Sequence, residues 1–131
     1  MVNWRRGAAG LAAAALALAV SATSALAEGD AAKGEKQYKK CKTCHALEDG
    51  KNKVGPHLVG LFGREAGSVE GFKYSKAMLE SGIVWDEATL DAYLKKPKEA
   101  VPGTKMAFAG MKKEQQRIDL IAYLKEATQA Q

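Results

Sequence analysis

The chain begins with an apolar leader and continues as a mostly polar segment that carries helix-forming patterns. Residues 7–20 are rich in Ala and Leu and contain no charged residue. Downstream, helix-favouring residues and apolar positions spaced three or four apart predict helices at about 30–42, 74–81, 87–96 and 113–128. No alternating run is long enough to predict a sheet, so we expect an all-α protein.

Polar caps and breakers mark the ends of these predicted helices. Asp30 and Asp86 are residues of the kind that cap a helix N-terminus, and Pro97 is expected to end the third helix. Gly34 is unexpected inside the first helix, where it costs about 1 kcal/mol relative to Ala. We therefore expect another helix to cross the first one closely at Gly34.

Residues 46–71 show no sustained helical or strand periodicity and contain six glycines. A structureless stretch of this length is uncommon in a compact domain unless it is wrapped around something. Leu58, Leu61 and Phe62 would supply apolar side chains to the wall of a pocket. The segment is therefore predicted to enclose a bound group.

The leader has the three parts of a secretory signal peptide. Arg5 and Arg6 precede the apolar run, and an Ala-Leu-Ala sequence predicts cleavage after Ala27. The apolar run, about 14 residues long, is short for a membrane span of roughly 20, so an uncleaved anchor is the less favoured alternative. The arginine pair also leaves twin-arginine export open beside the general secretory route. We expect a mature chain that works in a bacterial periplasm.

Residues 28–131 have the size of one domain. They retain 18 basic and 15 acidic residues, which gives a net charge of +3. The basic residues are scattered among acids, without the interleaved Arg and aromatic residues of a single-strand binder. Nucleic-acid binding is therefore not expected.

Both cysteines of the chain lie in the sequence Cys-Lys-Thr-Cys-His at residues 41–45. Cys-x-x-Cys-His is the attachment motif of c-type haem. Two thiols three residues apart on a helical turn project to the same side, where they can add to the two haem vinyl groups. The next residue, His45, can then offer an imidazole nitrogen to the iron.

Two other kinds of site use a Cys-x-x-Cys pair. A zinc site would need all of Cys41, Cys44, His45 and His57, but the position of His57 does not fit the usual ligand spacing. A redox dithiol of the thioredoxin type would accompany an α/β pattern, which the sequence lacks. Haem attachment is the favoured interpretation.

The occupant of the sixth iron position would decide the function. An open position allows ligand binding or peroxide chemistry, whereas a thioether closes it and raises the reduction potential. The candidates are Met78, Met106, Met111 and His57. Met106 is favoured because the Pro-Gly turn at 102–103 presents it from a loop, and Met111 is the runner-up.

The mature chain resembles class I c-type cytochromes, specifically those similar to mitochondrial cytochrome c and its soluble bacterial relatives from photosynthesis and respiration. The resemblance covers essentially all of residues 28–131. It rests on segments matched in order: Gly-Asp at 29–30, the motif at 41–45, Gly-Pro at 55–56, Gly-Leu-Phe-Gly-Arg at 60–64, Gly-Phe-Lys-Tyr-Ser at 71–75, Trp85, Tyr-Leu at 93–94, Pro-Gly-Thr-Lys-Met-Ala-Phe-Ala-Gly at 102–110 and Asp-Leu-Ile-Ala-Tyr-Leu at 119–124.

The resemblance implies a cytochrome c fold. Its N- and C-terminal helices cross, and further short helices and the Gly-rich loop wrap around one covalently attached haem c. Cys41 and Cys44 would carry the thioethers, and His45 and Met106 would be the axial ligands. A further set of residues would bond to the haem propionates or orient the axial ligands: Pro56, Arg64, Tyr74, Trp85, Tyr93 and Thr104.

The resemblance also predicts how three unusual positions behave. Met78 replaces an asparagine of a buried polar network in mitochondrial members, which puts that network in doubt here. His57 lies where an asparagine is usual and is expected at the surface. Met111 is expected in the core, and Gly34 and Tyr123 are expected to mark the helix crossing.

The implied function is that of a soluble periplasmic electron carrier and not of an enzyme. The monomeric protein would dock transiently to membrane redox complexes, such as a quinol–cytochrome c reductase together with an oxidase or photosynthetic reaction centre, or to a periplasmic dehydrogenase. Respiratory, photosynthetic and methylotrophic roles all remain open. The lysines expected to ring the exposed haem edge are Lys40, Lys53, Lys98, Lys105, Lys112 and Lys113. The competing functions are a small peroxidase-like haem enzyme with a displaceable sixth ligand and a thiol–disulfide oxidoreductase.

Overall fold

The computed structural model describes Gly10 and residues 28–130. Apart from Gly10, the predicted signal peptide at 1–27 therefore lies outside the described residues. Within the described part, no helix is long and apolar enough to cross a membrane.

The described residues form five helices and no strand. Their sole β-type pairing is an isolated bridge between Glu65 and Val84. This confirms the predicted all-α class. The helices are α1 (Ala31–Tyr38), α2 (Lys76–Leu79), α3 (Glu87–Lys95), α4 (Pro97–Ala100) and α5 (Glu114–Ala127).

The caps of α1 and α3 are those predicted from the sequence. The Asp30 carboxylate accepts from the Lys33 amide, and the Asp86 carboxylate accepts from the Thr89 amide at 2.8 Å. The Thr89 hydroxyl in turn accepts from the Asp86 amide, which completes a capping box. Pro97 follows α3, but it also occupies the first position of α4, where its missing N–H costs nothing.

Two helices are shorter than predicted. α1 ends at Tyr38, and its carbonyl accepts from the amides of both Cys41 and Lys42. This shared acceptor tightens the backbone into turns, so the cysteine motif follows α1 and does not lie at its C-terminal end. α2 begins only after Ser75, because the Ser75 hydroxyl caps it by accepting from the Met78 amide.

α1 and α5 cross at Gly34, as predicted. A Cβ at Gly34 would overlap with the backbone carbonyl of Asp119 and lie 2.8 Å from the Cβ of Tyr123. The rings of Tyr38 and Tyr123 pack beside this point, with centroids 5.4 Å apart. The Asp119 carboxylate accepts from the Asp30 amide at 2.9 Å. The crossing is therefore close because one helix has no side chain there.

The hydrophobic core lies between the crossing helices, α3 and the cavity described below. Leu90 and Leu94 of α3 meet Leu120 and Leu124 of α5 in one buried cluster. Met111 is buried in the same cluster, as expected.

Candidate functional site

One large cavity opens between the cysteine motif, the Gly-rich segment and the loop before α5. Its volume is about 720 Å³, within the range of roughly 300–1,000 Å³ typical of ligand sites. Its walls combine apolar side chains with a few polar groups. Of the residues predicted to bind or orient a haem, all line this cavity: Cys41, Cys44, His45, Pro56, Arg64, Tyr74, Trp85, Tyr93, Thr104 and Met106.

The cysteine motif forms a helical turn at one side of the cavity. The amides of Cys44 and His45 both donate to the Cys41 carbonyl, at 3.0 and 2.9 Å. Both thiols are free and half-buried, and burial raises the pKa of the Cys41 thiol. The turn therefore presents two thiols and an imidazole to the same space.

The His45 ring is fixed by the residues at 55–56. Its Nδ1 lies 2.7 Å from the Pro56 carbonyl. Because a carbonyl can only accept, Nδ1 carries the proton and Nε2 keeps a lone pair for a metal. Burial lowers the pKa of His45, which favours this neutral form. A Cβ at Gly55 would lie 2.7 Å from Nδ1, so only glycine allows the ring this position.

Met106 lines the cavity from the loop between α4 and α5. The hydroxyls of Tyr93 and Thr104 are hydrogen-bonded at 2.7 Å, and the Met106 amide donates to the Thr104 hydroxyl at 3.3 Å. The Tyr93 ring packs against Trp85 with centroids 5.2 Å apart, and burial raises the pKa of Tyr93. These contacts link the Met106 loop to α3.

The other methionine candidates differ in their positions. Met78 is buried and also lines the cavity, whereas Met111 is absent from its lining. His57 does not line the cavity either. Of the four candidates for a sixth ligand, only Met78 and Met106 are placed to reach a group bound there.

The expectation that His57 lies at the surface is wrong. Its side chain is only 12% exposed and its Nε2 lies 3.6 Å from Asp49. Its Nδ1 accepts from the Val59 amide at 3.2 Å. The Gly-rich segment curls back on itself here, and a sequence pattern without periodicity gives no sign of such a turn.

Arg64 carries a buried donor that has no partner among the described residues. Its Nη1 donates to the carbonyls of His57 and Val59, both at 3.0 Å. Its Nε is buried without a hydrogen bond, and burial lowers the pKa of the guanidinium. A buried charged donor without an acceptor destabilises the fold by its full desolvation penalty, which a hydrogen bond to an acceptor would offset. The site therefore fits a group that brings an anionic oxygen next to Arg64, as a haem propionate would.

Tyr74 and Trp85 flank Arg64 in the cavity wall. The Tyr74 hydroxyl accepts from the Val69 amide at 3.1 Å, which leaves its proton free to donate. Trp85 is almost fully buried, and its amide donates to the Arg64 carbonyl at 2.9 Å. Both side chains line the cavity and carry a donor, the Tyr74 hydroxyl and the Trp85 indole N–H, that an acceptor bound there could use.

The six predicted docking lysines are all exposed, but they fall into two groups. Lys40, Lys53 and Lys105 line the mouth of the cavity, whereas the other three lie outside its lining. Lys53 also donates to the carbonyl of Lys42 at 2.8 Å. The second group consists of Lys98, Lys112 and Lys113.

Sequence reasoning missed two residues at the cavity mouth. Lys73 and Val54 both line it, and Val54 is 81% exposed. An exposed lysine and an exposed valine carry no signal in the sequence, because each is ordinary at a protein surface.

Comparisons with known proteins agree with this geometry. The sequence profile of the family described as Cytochrome c matches residues 31–128. The chain is 54% identical over 110 residues to cytochrome c2 of Blastochloris viridis, covering 83% of this chain and 86% of that protein. It is 56% identical over 102 residues to cytochrome c of Chlamydomonas reinhardtii, covering 76% and 91%.

A solved structure is also similar. Cytochrome cH from Methylobacterium extorquens superimposes with a TM-score of 0.71 at 48% identity, covering 75% of this chain and 99% of that one. The paired thiols, the oriented imidazole and the orphaned Arg64 donor fit a single covalently attached haem c, the cofactor of this chain. The chain belongs to the cytochrome c family.

Proposed function

We propose that the mature chain is a soluble periplasmic carrier that moves single electrons between redox partners, with His45 and Met106 as the axial ligands of its haem iron. At the level of the family, its relatives are electron carriers and not enzymes. The observation that carries the finer proposal is that His45 and Met106 both line one largely apolar cavity. A nitrogen and a thioether ligand together close both axial positions.

Haem c supplies an iron that can be oxidised and reduced by one electron. The chain's residues would attach it, orient its ligands and exclude water. Cys41 and Cys44 would hold it through thioethers, and the Pro56 carbonyl would keep the His45 ring in place. The hydrogen bond between Tyr93 and Thr104 would hold the loop on the Met106 side.

The polar groups of the cavity would serve the haem propionates. The unpartnered Nε of Arg64 is a buried charged donor, and Tyr74 and Trp85 line the same cavity. Their donors would stabilise the propionate charges in an otherwise apolar setting. The apolar walls would also exclude water from the iron, which would favour a stable pair of axial ligands.

The test of axial ligation is the visible spectrum of the oxidised holoprotein. We expect the sulfur–iron band in the natural protein and in Met78→Leu, and its loss in Met106→Ala. Met78 is the matched control because it lines the same cavity. Survival of the band in Met106→Ala, with loss in Met78→Leu, would assign the ligand to Met78.

Carbon monoxide separates the carrier from a peroxidase-like enzyme. A closed sixth position predicts that the reduced natural protein resists carbon monoxide and that Met106→Ala binds it. Rapid binding by the natural protein would instead indicate a displaceable ligand and favour the enzyme.

Thiol titration should find neither Cys41 nor Cys44 free in the holoprotein.

Docking to redox partners would use the cavity mouth. Lys40, Lys53 and Lys105 surround it, and exposed Val54 adds an apolar contact. Such a surface suits brief, electrostatically steered contact with acidic faces of a reductase complex, an oxidase, a reaction centre or a dehydrogenase. Lys98, Lys112 and Lys113 would contribute only to the longer-range field.

Steering predicts a steep dependence of the electron-transfer rate on ionic strength. With a purified quinol–cytochrome c reductase, Lys105→Gln should lower the low-salt rate by a factor of about 2–3 and flatten the salt dependence. Lys76→Gln is the matched control, because Lys76 is exposed on α2 and lies outside the cavity lining. Equal effects of the two substitutions would contradict docking at this mouth.

Export is the remaining part of the proposal. Residues 1–27 would direct the chain to the periplasm and be cleaved after Ala27. The mass of the exported protein should equal that of residues 28–131 plus one haem c. A mass that includes the leader would instead indicate an uncleaved anchor.

A further inference from the structure

Residues 106–111, called the Met106 segment below, form few hydrogen bonds along their own length. Among the described residues, the backbone of 107–110 forms no hydrogen bond. The Met106 amide has a single bond, to the Thr104 hydroxyl, at 3.3 Å. This distance is at the long end of the range for a hydrogen bond. The position of the segment therefore depends on what holds its two ends.

The upstream end is tied to α3 through the hydroxyl pair of Tyr93 and Thr104. The downstream end is pressed against the end of the same helix. The Met111 amide donates to the Leu94 carbonyl at 2.8 Å. A Cβ at Gly110 would overlap with the Lys95 carbonyl. Both ends of the segment are thus fixed by long-range contacts.

Arg117 of α5 adds a third contact to the downstream end. Its Nη1 donates to the backbone carbonyls of Met111 and Lys112, at 2.9 and 3.1 Å. Its Nε donates to the Asp91 carboxylate on α3 at 2.7 Å. The Arg117 side chain is only 5% exposed. One buried guanidinium therefore joins α3, α5 and the end of the Met106 segment.

A plain ion pair between α3 and α5 would not need this arrangement. Lys125 and Glu87 already form one between the same two helices, and it does not touch the Met106 segment. Burying a guanidinium carries a desolvation cost that a bond to Asp91 alone offsets poorly. Nη1 donates to both carbonyls while Nε donates to Asp91, so the three bonds use the rigid fork of arginine, whose geometry lysine cannot reproduce.

We infer that Arg117, oriented by Asp91, is a positioning residue that holds the Met106 segment and so sets how readily Met106 leaves the iron. The inference rests on the proposed ligation by Met106. Arg117 does not line the cavity. It acts through the backbone of Met111 and Lys112, five and six residues beyond the ligand.

The experiment measures how fast imidazole displaces Met106 from the iron of the oxidised holoprotein. The displacement is monitored through the loss of the sulfur–iron band. We expect Arg117→Lys to raise this rate about tenfold, the factor that loss of one charge-assisted hydrogen bond would give. Asp91→Asn keeps an acceptor oxygen but loses its charge, so a smaller increase is expected. The reduction potential of the haem should also fall, and it should fall further in Arg117→Lys than in Asp91→Asn.

Two controls separate positioning from general destabilisation. Lys125→Gln removes the other ion pair between α3 and α5, and Ile121→Val trims a buried side chain that is not part of the cavity lining. Ile121→Val should lower the melting temperature and Lys125→Gln should change it little, and both should leave the rate of displacement unchanged. Asp91→Asn provides the test if Arg117→Lys does not fold.

Three outcomes would overturn the inference. In the first, Arg117→Lys and Ile121→Val lose the same amount of melting temperature and show the same rate of displacement of Met106. Another is an Asp91→Asn rate equal to that of Lys125→Gln. The third is absence of the sulfur–iron band from the natural protein, which would remove the proposed ligation itself. The first two leave the proposed ligation by Met106 intact.

Discussion

The two sides of the cavity that carry the proposed axial ligands, His45 and Met106, are held in different ways. On the His45 side, hydrogen bonds join neighbouring segments at every step: Gly55 to Cys44, Leu58 to Ala46, Lys53 to Lys42, Tyr38 to His45 and His45 to Pro56. On the Met106 side, the backbone of 107–110 makes no hydrogen bond to any other part of the chain that the structure describes. The His45 imidazole lies in a dense local network of hydrogen bonds, whereas the Met106 thioether lies on a segment that is held only at its ends.

This contrast indicates which side yields first. Breaking the His45 side requires several bonds to be lost together, whereas the Met106 side can move once an end contact opens. We therefore expect ligand exchange to begin at Met106, with the haem still attached at Cys41 and Cys44.

The largest effect is expected from removing each ligand in turn. His45→Gln should nearly abolish the yield of covalently attached haem, because the ring fills the space beside Gly55 and ties the turn at 41–45 to the Pro56 carbonyl. Met106→Ala should keep the attached haem. Haem staining after denaturing electrophoresis, per amount of protein, measures the difference. Equal yields would break the contrast.

Gly55→Ala tests how rigid the His45 side is. The new methyl would lie 2.7 Å from Nδ1 of His45, and overpacking of this kind typically costs about 1–3 kcal/mol. Denaturant unfolding of the holoprotein should show that loss. Gly50→Ala is the matched control for a glycine substitution at an open position, although its positive φ adds local strain. A stability unchanged by Gly55→Ala would mean that the His45 side can adapt.

Asp119→Asn should weaken both sides together, because Asp119 lies at the helix crossing. The Asp30 amide, and then Gln115, lower the pKa of the Asp119 carboxyl in the folded state. Because its pKa is lower in the folded state, the ionised Asp119 carboxylate stabilises the fold at any pH above its unfolded-state pKa of about 3.9. This stabilisation is lost as the pH falls through the folded-state pKa.

The melting temperature of Asp119→Asn should therefore fall furthest below that of the natural protein at pH 7. The two should converge under acid conditions. Melting curves recorded across this pH range, through both the sulfur–iron band and far-ultraviolet dichroism, provide the measurement. A constant difference at every pH would show that the Asp119 charge is not what stabilises the crossing.

Thr104→Val should give the smallest change, confined to the Met106 side. It removes the bond to Tyr93 and the acceptor of the Met106 amide, a loss of about 1 kcal/mol for a typical hydrogen bond. The sulfur–iron band should disappear at a lower imidazole concentration while the melting temperature falls only slightly. Thr104→Ser keeps the hydroxyl and should behave like the natural protein. Equal behaviour of Val and Ser would remove Thr104 from the positioning of Met106.

Features that depend on chain neighbours were predictable from the sequence. The spacing of Cys41 and Cys44, with His45 next to them, depends on one turn of backbone, and the structure forms that turn. Asp30 and Asp86 cap their helices through residues three positions on. Gly34 pointed to a close crossing because glycine within a helix is otherwise unfavourable.

Features that depend on the detailed course of the backbone, or on contacts that residue types do not signal, were not predictable in this way. The end of α1 at Tyr38 follows from a carbonyl shared by two amides, which no propensity encodes. The His57 side chain is mostly covered because the Gly-rich segment turns it towards Asp49 and Val59. The resemblance to a family located the cavity residues, but it did not reveal which lysines line the mouth.

The sequence by itself determined the attachment motif, the helical class and the candidate ligands, because these follow from residue types at short spacing. Only the tertiary structure decided how each proposed ligand is held. It brought Arg117 to Asp91, 26 positions apart in the chain, and to the end of the Met106 segment. Such contacts depend on how α3 and α5 pack. The sequence encodes that packing only through the whole core and not through any local pattern.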